Sequence, residues 1–163
     1  MVAAVSDVTP QLLSQRGLKA VMVDMDDTLM AANRDDLNPD FVSWAAGLRE
    51  AGVPTLLLSN GTRRRVLRCS KQLGVEGLPL SGKPWPGAFK RGLDKLGSKA
   101  TETAMVGDQL FTDVLGANLI GMTSILVNPL SSGGLPHTRL ARTLESWLLA
   151  RQKGGERGRS LHR

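Results

Sequence analysis

An apolar run, Val21–Val23, leads directly into two aspartates, Asp24 and Asp26, and then a threonine, Thr28. In extended backbone, residues i and i+2 point to the same side, so the two carboxylates can face one cleft. Close carboxylates repel each other, and a bound cation is the usual way in which proteins accommodate them. The spacing therefore suggests a Mg²⁺-dependent site with a carboxylate nucleophile. A solvated acidic turn is the alternative, and this segment alone does not choose between the two.

Similar polar groups follow the later strands that the sequence predicts. They are Ser59, then Lys83, then Asp108 with Asp113. A parallel sheet brings the carboxyl ends of its strands to one crevice, so these residues can meet although they are distant in sequence. Carboxylates for a metal, a hydroxyl donor and a lysine charge are the parts needed to hold and transfer a phosphoryl group.

The elements that must position these groups alternate along the chain. Strands are predicted over Ala20–Met25, Val53–Leu58, a short apolar piece Leu78–Leu80, Ala104–Val106 and Ser124–Val127. The first of the main helices is predicted to begin at Pro39, after the N-cap Asn38. The next runs through Leu73 and stops at Gly74. Three more are predicted over Pro86–Leu96, Leu110–Ile120 and Thr138–Ala150. Wholly apolar strands that alternate with amphipathic helices indicate a doubly wound, Rossmann-like α/β/α sandwich with a mainly parallel central sheet.

Length and composition indicate one domain. The chain has 163 residues, of which 41% are hydrophobic, which is enough for one packed core and too little for two ordinary domains. We expect a single domain over residues 1–150. Residues 151–163 are rich in glycine and basic residues, so we expect a disordered tail there.

The cysteine content and the apolar runs favour a cytoplasmic protein. The single cysteine, Cys69, excludes an intramolecular disulfide, and its apolar neighbours at helical spacing predict that it is buried. No apolar run reaches the ~18 residues that span a bilayer, and residues 1–15 lack the basic start of a secretory signal. A net charge of +6 favours anionic partners, such as phosphorylated metabolites, acidic lipids or nucleic acid, without choosing among them.

The set of motifs resembles the haloacid dehalogenase (HAD) superfamily of phosphatases. The matching segments are Asp24-Met-Asp26-Asp-Thr28, Ser59 after its strand, Lys83-Pro84, and Gly107-Asp108-Gln-Leu-Phe-Thr-Asp113. The length, the form of the last motif and the lack of a large cap insert resemble the capless YqeG-type branch, which is related to phosphatidylglycerophosphate phosphatases. One departure is Asp27, where that branch usually has asparagine; it adds negative charge and removes no catalytic part.

The resemblance implies a role for each of these residues. Asp24 would attack phosphorus, and Asp26 would act as general acid and then as general base. The carboxylates of Asp24 and Asp108, with the main-chain carbonyl of Asp26, would hold Mg²⁺. Thr28, Ser59 and the amide of Asn60 would hold the transferring oxygens, and Lys83 would neutralise their charge. Asp113 would orient Lys83 or a metal-bound water, or it could be an ordinary acid in the first turn of a helix.

Several basic residues follow the Ser59 loop at the predicted start of a helix. They are Arg63, Arg64, Arg65 and Arg68, and positive charge at this end opposes the helix dipole. They could form a basic rim that attracts an anionic substrate or lipid surface, or simply a solvated helix face. His137 and His162 have no partners at metal-binding spacing.

The leading hypothesis is a Mg²⁺-dependent phosphomonoester hydrolase. Little sequence between the motifs is left for a lid, and an open crevice suits a large substrate such as phosphatidylglycerophosphate, reached by peripheral contact with the inner face of a membrane. Small-molecule phosphates and, less favoured, nucleic-acid phosphates are alternative substrates. The alternatives are a non-enzymatic phosphoacceptor signalling domain, which would not need Asp26, and a basic interaction protein that has kept only the fold.

Overall fold

The computed structural model describes residues 1–31 and 37–131. Its centre is a sheet of five parallel strands in the order β3-β2-β1-β4-β5. The strands are β1 (Ala20–Val23), β2 (Thr55–Leu58), β3 (Glu76–Leu78), β4 (Thr103–Gly107) and β5 (Thr123–Leu126). The helices are α1 (Pro10–Gln15), α2 (Pro39–Glu50), α3 (Arg63–Leu73), α4 (Pro86–Leu96) and α5 (Leu115–Asn118). The predicted fold class, a doubly wound α/β sandwich with a parallel sheet, is confirmed.

Both faces of the sheet are covered, which explains why the central strands are apolar throughout. Successive strand residues point to opposite faces. Val21 and Val23 of β1 therefore join the core under α2 and α3, and Met22 joins a second core under α4 and α5. A strand buried on both sides has no solvent-facing positions, so polar groups are confined to its ends.

β4 and β5 lie within one residue of their predicted bounds, and the other three strands differ by more. β1 ends at Val23, two residues before the predicted Met25, because the chain turns there into the segment that carries Asp24 and Asp26. β2 begins only at Thr55, because the Val53 amide donates to the Leu48 carbonyl and so ends α2. β3 lies two residues earlier than the predicted Leu78–Leu80 piece and shares only Leu78 with it.

The predicted helix ends agree closely with the structure. Pro39 begins α2, and the side chain of Asn38 accepts a hydrogen bond from the Asp40 amide. Gly74 and Gly97 follow α3 and α4 in the left-handed conformation, with φ of 68° and 60°, which glycine adopts at little cost.

The predicted helix Leu110–Ile120 is wrong in its first half. Residues Leu110–Val114 form a wide π-helical turn, in which the amides of Asp113 and Val114 both donate to the Gln109 carbonyl, and only then does α5 begin. The turn lets the Asp113 carboxylate accept a hydrogen bond from the Gln109 amide and contact Lys83. Such turns are often found at functional sites.

The N-terminal segment before β1 packs onto the core. Val5, Val8 and Leu13 are buried, and the Trp44 indole donates a hydrogen bond of 2.9 Å to the Val8 carbonyl. The Val2 amide donates to Leu126 at the end of β5. The apolar side chains of the N-terminal segment are therefore part of the core under α2.

Some sequence predictions lie outside the described residues. These are the helix Thr138–Ala150, the tail 151–163, His137 and His162. Within residues 1–31 and 37–131, no cap domain is inserted between the strands, and no helix has both the length and the apolar character needed to cross a bilayer.

Candidate active site

The turn after β1 places Asp24 and Asp26 at the carboxyl end of the sheet. Asp24 is buried, with 3% of its surface exposed, and its amide donates to the Val106 carbonyl of β4. Asp27 then adopts a left-handed conformation, with φ of 60°, and Ser131 Oγ donates a hydrogen bond of 2.6 Å to its Oδ1. Aspartate and asparagine tolerate this conformation best among residues with side chains. The backbone therefore explains why an aspartate can stand here in place of an asparagine.

Lys83 lies between two of the predicted carboxylates. Its Nζ is 2.7 Å from Asp24 Oδ1 and 2.6 Å from Asp113 Oδ1, and the side chains of all three residues are at most 4% exposed. Burial by itself would lower the pKa of Lys83, but the Asp113 and Asp24 carboxylates outweigh it and raise that pKa above its usual range. Lys83 is therefore a fixed positive charge at neutral pH.

The carboxylates of Asp24, Asp108 and Asp113 crowd together around this lysine. One oxygen from each lies within 4.8 Å of the others. Burial, together with the Asp24 and Asp113 charges, raises the pKa of Asp108 to about 7. Burial also raises the pKa of Asp113 to about 6, against the opposing effect of Lys83. If all three carboxylates are ionised, the cluster carries more negative charge than one lysine balances.

This donor set fits a small divalent cation. Hard oxygen ligands from two or three carboxylates are those that Mg²⁺ prefers. A cation would also relieve the repulsion that, together with burial, raises the pKa of Asp108. The main-chain carbonyl predicted as a ligand is that of Asp26. It belongs to a turn closed by hydrogen bonds from Met30 N to Met25 O and from Asp27 N to Met30 O. The structure also places Asp113, predicted only as a supporting residue, within the cluster.

Thr28 and Ser59 contact other polar groups of the site. Thr28 Oγ1 donates a hydrogen bond of 3.1 Å to Asp108 Oδ1. Ser59 is buried, and its Oγ accepts a hydrogen bond of 2.9 Å from the Gly61 amide, which leaves the hydroxyl hydrogen available for an anion. Ser59 lines the cleft, whereas Thr28 contacts a carboxylate beside it. Their predicted role in holding the transferring oxygens stays a prediction.

The side chain of Asn60 supports the loop that carries Lys83. Its Oδ1 accepts hydrogen bonds of 2.9–3.0 Å from Ser81 Oγ and from the amides of Gly82 and Lys83, and its Nδ2 donates to the Lys83 carbonyl. Sequence reasoning assigned only the main-chain amide of Asn60 to the site. The structure adds a second role, because four hydrogen bonds from one side chain fix the loop against the Ser59 turn.

A small cleft opens among these residues. It has a volume of about 40 Å³ and is lined by Asp24, Asp26, Ser59, Asn60, Lys83, Gln109 and Thr112. A cavity of this size is large enough for water, and its lining of carboxylates, hydroxyls, amides and Lys83 is polar throughout. Gln109 and Thr112 were missed by sequence reasoning, although both lie inside the Gly107–Asp113 motif.

The predicted arginines separate into two groups. Arg65 Nη1 lies 2.7 Å from Asp26 Oδ1, and both side chains are about one quarter exposed. Burial raises the pKa of Asp26 and Arg65 opposes that shift. Arg63 and Arg64 are exposed beside it.

The sequence and the fold define the class of this protein. Residues 8–121 match the model of the haloacid dehalogenase-like hydrolase family, and the chain belongs to that family. Within it, the chain is 34% identical over 146 residues to the probable phosphatase YqeG of Bacillus subtilis strain 168, an alignment that covers 90% of this chain and 85% of that one. The protein is a phosphatase of the HAD type, similar to YqeG.

Solved structures support the fold. A protein from Listeria monocytogenes serotype 4b superposes with a TM-score of 0.57 at 22% identity, covering 73% of this chain and 85% of that one. The 3-deoxy-D-manno-octulosonate 8-phosphate phosphatase of Moraxella catarrhalis, solved with magnesium, phosphate and its sugar, superposes with a TM-score of 0.51 at 19% identity, covering 62% and 64%.

Proposed function

We propose that this protein is a Mg²⁺-dependent phosphomonoester hydrolase that forms an aspartyl-phosphate on Asp24. The observation that carries the proposal is the position of Asp24. Its carboxylate lies against the buried charge of Lys83 and lines a small polar cleft at the carboxyl end of the sheet. A carboxylate beside a fixed cation can approach an anionic phosphate that it would otherwise repel.

The first half of the reaction transfers the phosphoryl group to Asp24. A carboxylate oxygen of Asp24 forms a bond to phosphorus while the bond from phosphorus to the ester oxygen breaks. Asp26 gives its proton to that leaving oxygen, so the product departs as an alcohol. Lys83 and the Ser59 hydroxyl stabilise the charge on the transferring oxygens, since both line the cleft.

The second half returns Asp24 to its starting state. Asp26, now ionised, takes a proton from water as the water oxygen attacks phosphorus and the bond to Asp24 breaks. Inorganic phosphate is the product.

The carboxylates of Asp24 and Asp108, with Asp113 close by, are the residues that would hold Mg²⁺ in this scheme. Bound there, the ion supplies charge stabilisation for the phosphoryl oxygens and orients them for in-line attack. The magnesium in the Moraxella catarrhalis phosphatase supports the choice of metal.

We propose phosphatidylglycerophosphate as the substrate, bound from the cytoplasmic face of a membrane by peripheral contact. Three features of the crevice support an anionic substrate with a large apolar body. Leu80 and Trp85, on the loop that carries Lys83, are 67% and 62% exposed. Arg63 and Arg64 offer exposed positive charge at the start of α3. The cleft itself is small, about 40 Å³, so most of a large substrate would lie outside it.

The test is phosphate release in the presence of Mg²⁺ from three classes of substrate. The panel contains phosphatidylglycerophosphate in mixed micelles, a set of sugar phosphates, and oligonucleotides phosphorylated at the 3′ or 5′ end. We expect the highest kcat/KM for the lipid, with release abolished by EDTA and by Asp24→Asn. Preference for another class would overturn the substrate. A single equivalent of retained phosphoryl group, without turnover, would favour the signalling alternative.

A further inference from the structure

The first turn of α3 contains three consecutive arginines, and the third of them, Arg65, contacts Asp26 at the reaction centre. Arg63 and Arg64 are exposed, whereas Arg65 reaches across to Asp26, 39 residues earlier in the chain, with 2.7 Å between Nη1 and Oδ1. Positive charge in the first turn of a helix is unfavourable. The Arg65–Asp26 contact offsets that cost and gives this arginine a partner beside the cleft.

The two oxygens of Asp26 face different groups. Oδ1 accepts the hydrogen bond from Arg65. Oδ2 lies on the side of Gly61, 3.3 Å from the point where a Cβ at that glycine would be, and the same point is 3.1 Å from Ser59 Oγ. Oδ2 and Ser59 Oγ therefore border the same point beside Gly61. The oxygen that Arg65 does not bind is thus the one nearer the Gly61 turn, and Asp26 itself lines the cleft.

The surroundings of Arg65 hold its side chain in place. Val66, the next residue, and Cys69, one turn further along α3, are fully buried and fix that face of the helix against the core. Arg65 Nη2 also lies 3.8 Å from Met30 Sδ, at the end of the turn that carries Asp26. A guanidinium with a defined orientation restricts the rotation of the carboxylate that it binds.

We propose that Arg65 is a positioning residue that binds Oδ1 of Asp26 and thereby presents Oδ2 for proton transfer to the leaving group. The inference rests on the proposed function, since it assigns a role in the first half of that reaction. The proton moves from Asp26 Oδ2 to the ester oxygen as the bond from that oxygen to phosphorus breaks; Arg65 exchanges no proton. Orientation matters here because proton transfer requires the donor oxygen within hydrogen-bond reach of the ester oxygen.

The test compares two substrates of similar size that differ in their need for a proton. The leaving group of 4-nitrophenyl phosphate departs without protonation, whereas the alkoxide of benzyl phosphate requires it. We expect Arg65→Gln to lower kcat/KM for benzyl phosphate by about 10- to 100-fold. This is less than the full effect of general acid catalysis, because the acid itself is still present and only its orientation is lost. For 4-nitrophenyl phosphate we expect a loss of less than about threefold, since that step needs no acid. Arg65→Lys, which can still reach one oxygen, should recover part of the benzyl phosphate rate.

Two further variants separate positioning from charge and from folding. Arg64→Gln removes the same charge one residue away, and it should change both substrates by the same factor. Arg65→Gln added to Asp26→Asn should cause no further loss, because the group that it positions is already gone. If Arg65→Gln does not fold, the same comparison of kcat/KM for the two substrates is made with Arg65→Lys.

Two results would overturn the inference while the proposed function stands. One is an equal loss on both substrates with Arg65→Gln, which would make Arg65 a binding residue of the rim. The other is an additional loss in the Asp26→Asn background. If the wild-type protein hydrolyses neither ester, the proposed function itself fails and this role fails with it.

Discussion

The two ends of the central sheet carry the same kind of ion pair in opposite surroundings. At the carboxyl end, Lys83 contacts Asp24 and Asp113 with all three side chains at most 4% exposed. At the amino end, Lys95 contacts Glu76 with side chains 40% and 57% exposed.

The difference shows which charges the fold keeps for function. An exposed pair of lysine and carboxylate contributes about 0–1 kcal/mol, because water already solvates both groups well. A buried pair costs several kcal/mol of desolvation for each ion, and its mutual attraction at best offsets that cost. The exposed pair of Lys95 and Glu76 therefore needs no explanation beyond a well-solvated surface. The cluster around Lys83 gains little stability from its burial, so we explain it by the ligand that it can bind.

Removal of the lysine should have very different effects at the two ends. Lys83→Met leaves Asp24 and Asp113 without their buried cation, and we expect a loss of about 3–5 kcal/mol in the free energy of unfolding. Phosphatase activity should fall by about 10²–10³-fold, the usual effect of losing one group that stabilises transition-state charge. Urea unfolding and initial rates measure the two quantities.

The matched control is Lys95→Met, the same substitution in an exposed pair. It should change the free energy of unfolding by less than about 1 kcal/mol and leave kcat/KM unchanged. Similar losses of stability for the two variants would contradict the comparison.

The Asn60 side chain gives a second way to disturb the carboxyl end. Asn60→Ala removes four hydrogen bonds that hold the Ser81–Lys83 loop, and we expect a loss of stability of about 2–3 kcal/mol. The loop carries Lys83, so kcat/KM should fall as well. Calorimetry and initial rates check both effects. The control is Asn118→Ala, at the end of α5 that is farther along the chain from the Gly107–Asp113 motif. An active enzyme with unchanged melting temperature would show that the loop needs no support from Asn60.

A smaller effect concerns Asp108. Its pKa in the folded protein is about 7, above the ordinary value of 3.8, because burial and the neighbouring carboxylates disfavour its charged form. The contribution of such a group to stability is fully present below about pH 4 and is lost as the pH rises to about 7. In EDTA at pH 8, Asp108→Asn should therefore be more stable than wild type, by on the order of 1 kcal/mol, and the advantage should disappear near pH 4.

Addition of Mg²⁺ should reverse that order at pH 8. The wild-type protein gains stability from a ligand that binds only the folded state, whereas Asp108→Asn has lost one ligand and gains less. Thermal unfolding with and without Mg²⁺ measures this difference. A destabilised Asp108→Asn in EDTA at pH 8 would contradict the electrostatic account of the cluster.

The sequence was sufficient to predict the parts of the fold that depend on local signals. Helix α4 lies over Pro86–Leu96 as predicted, because a proline at its start and a glycine at its end are signals carried by those residues themselves. The crevice residues were predictable for a related reason. Parallel strands place their carboxyl ends at one edge, so the polar residues after each strand had to meet.

The features that sequence reasoning missed depend on contacts between distant residues. The π-helical turn at Leu110–Val114 accompanies the contact of Asp113 with Lys83, 30 residues away. The sequence does not distinguish the three adjacent arginines from one another. Which of them contacts Asp26 depends on the orientation of α3 about its axis, and in the structure it is Arg65. The support from Asn60 likewise exists only once the Lys83 loop has closed over it.

The most direct test of the central claim is to trap the phosphorylated enzyme. Wild type, Asp26→Asn and Asp24→Asn are mixed with 4-nitrophenyl [³²P]phosphate and Mg²⁺, quenched in acid within milliseconds and digested. The account predicts label on the peptide that contains Asp24, more of it in Asp26→Asn because the second half of the reaction lacks its base, and none in Asp24→Asn. Turnover of the ester by the wild-type protein with no label on that peptide at any time, or a fully active Asp24→Asn, would contradict it.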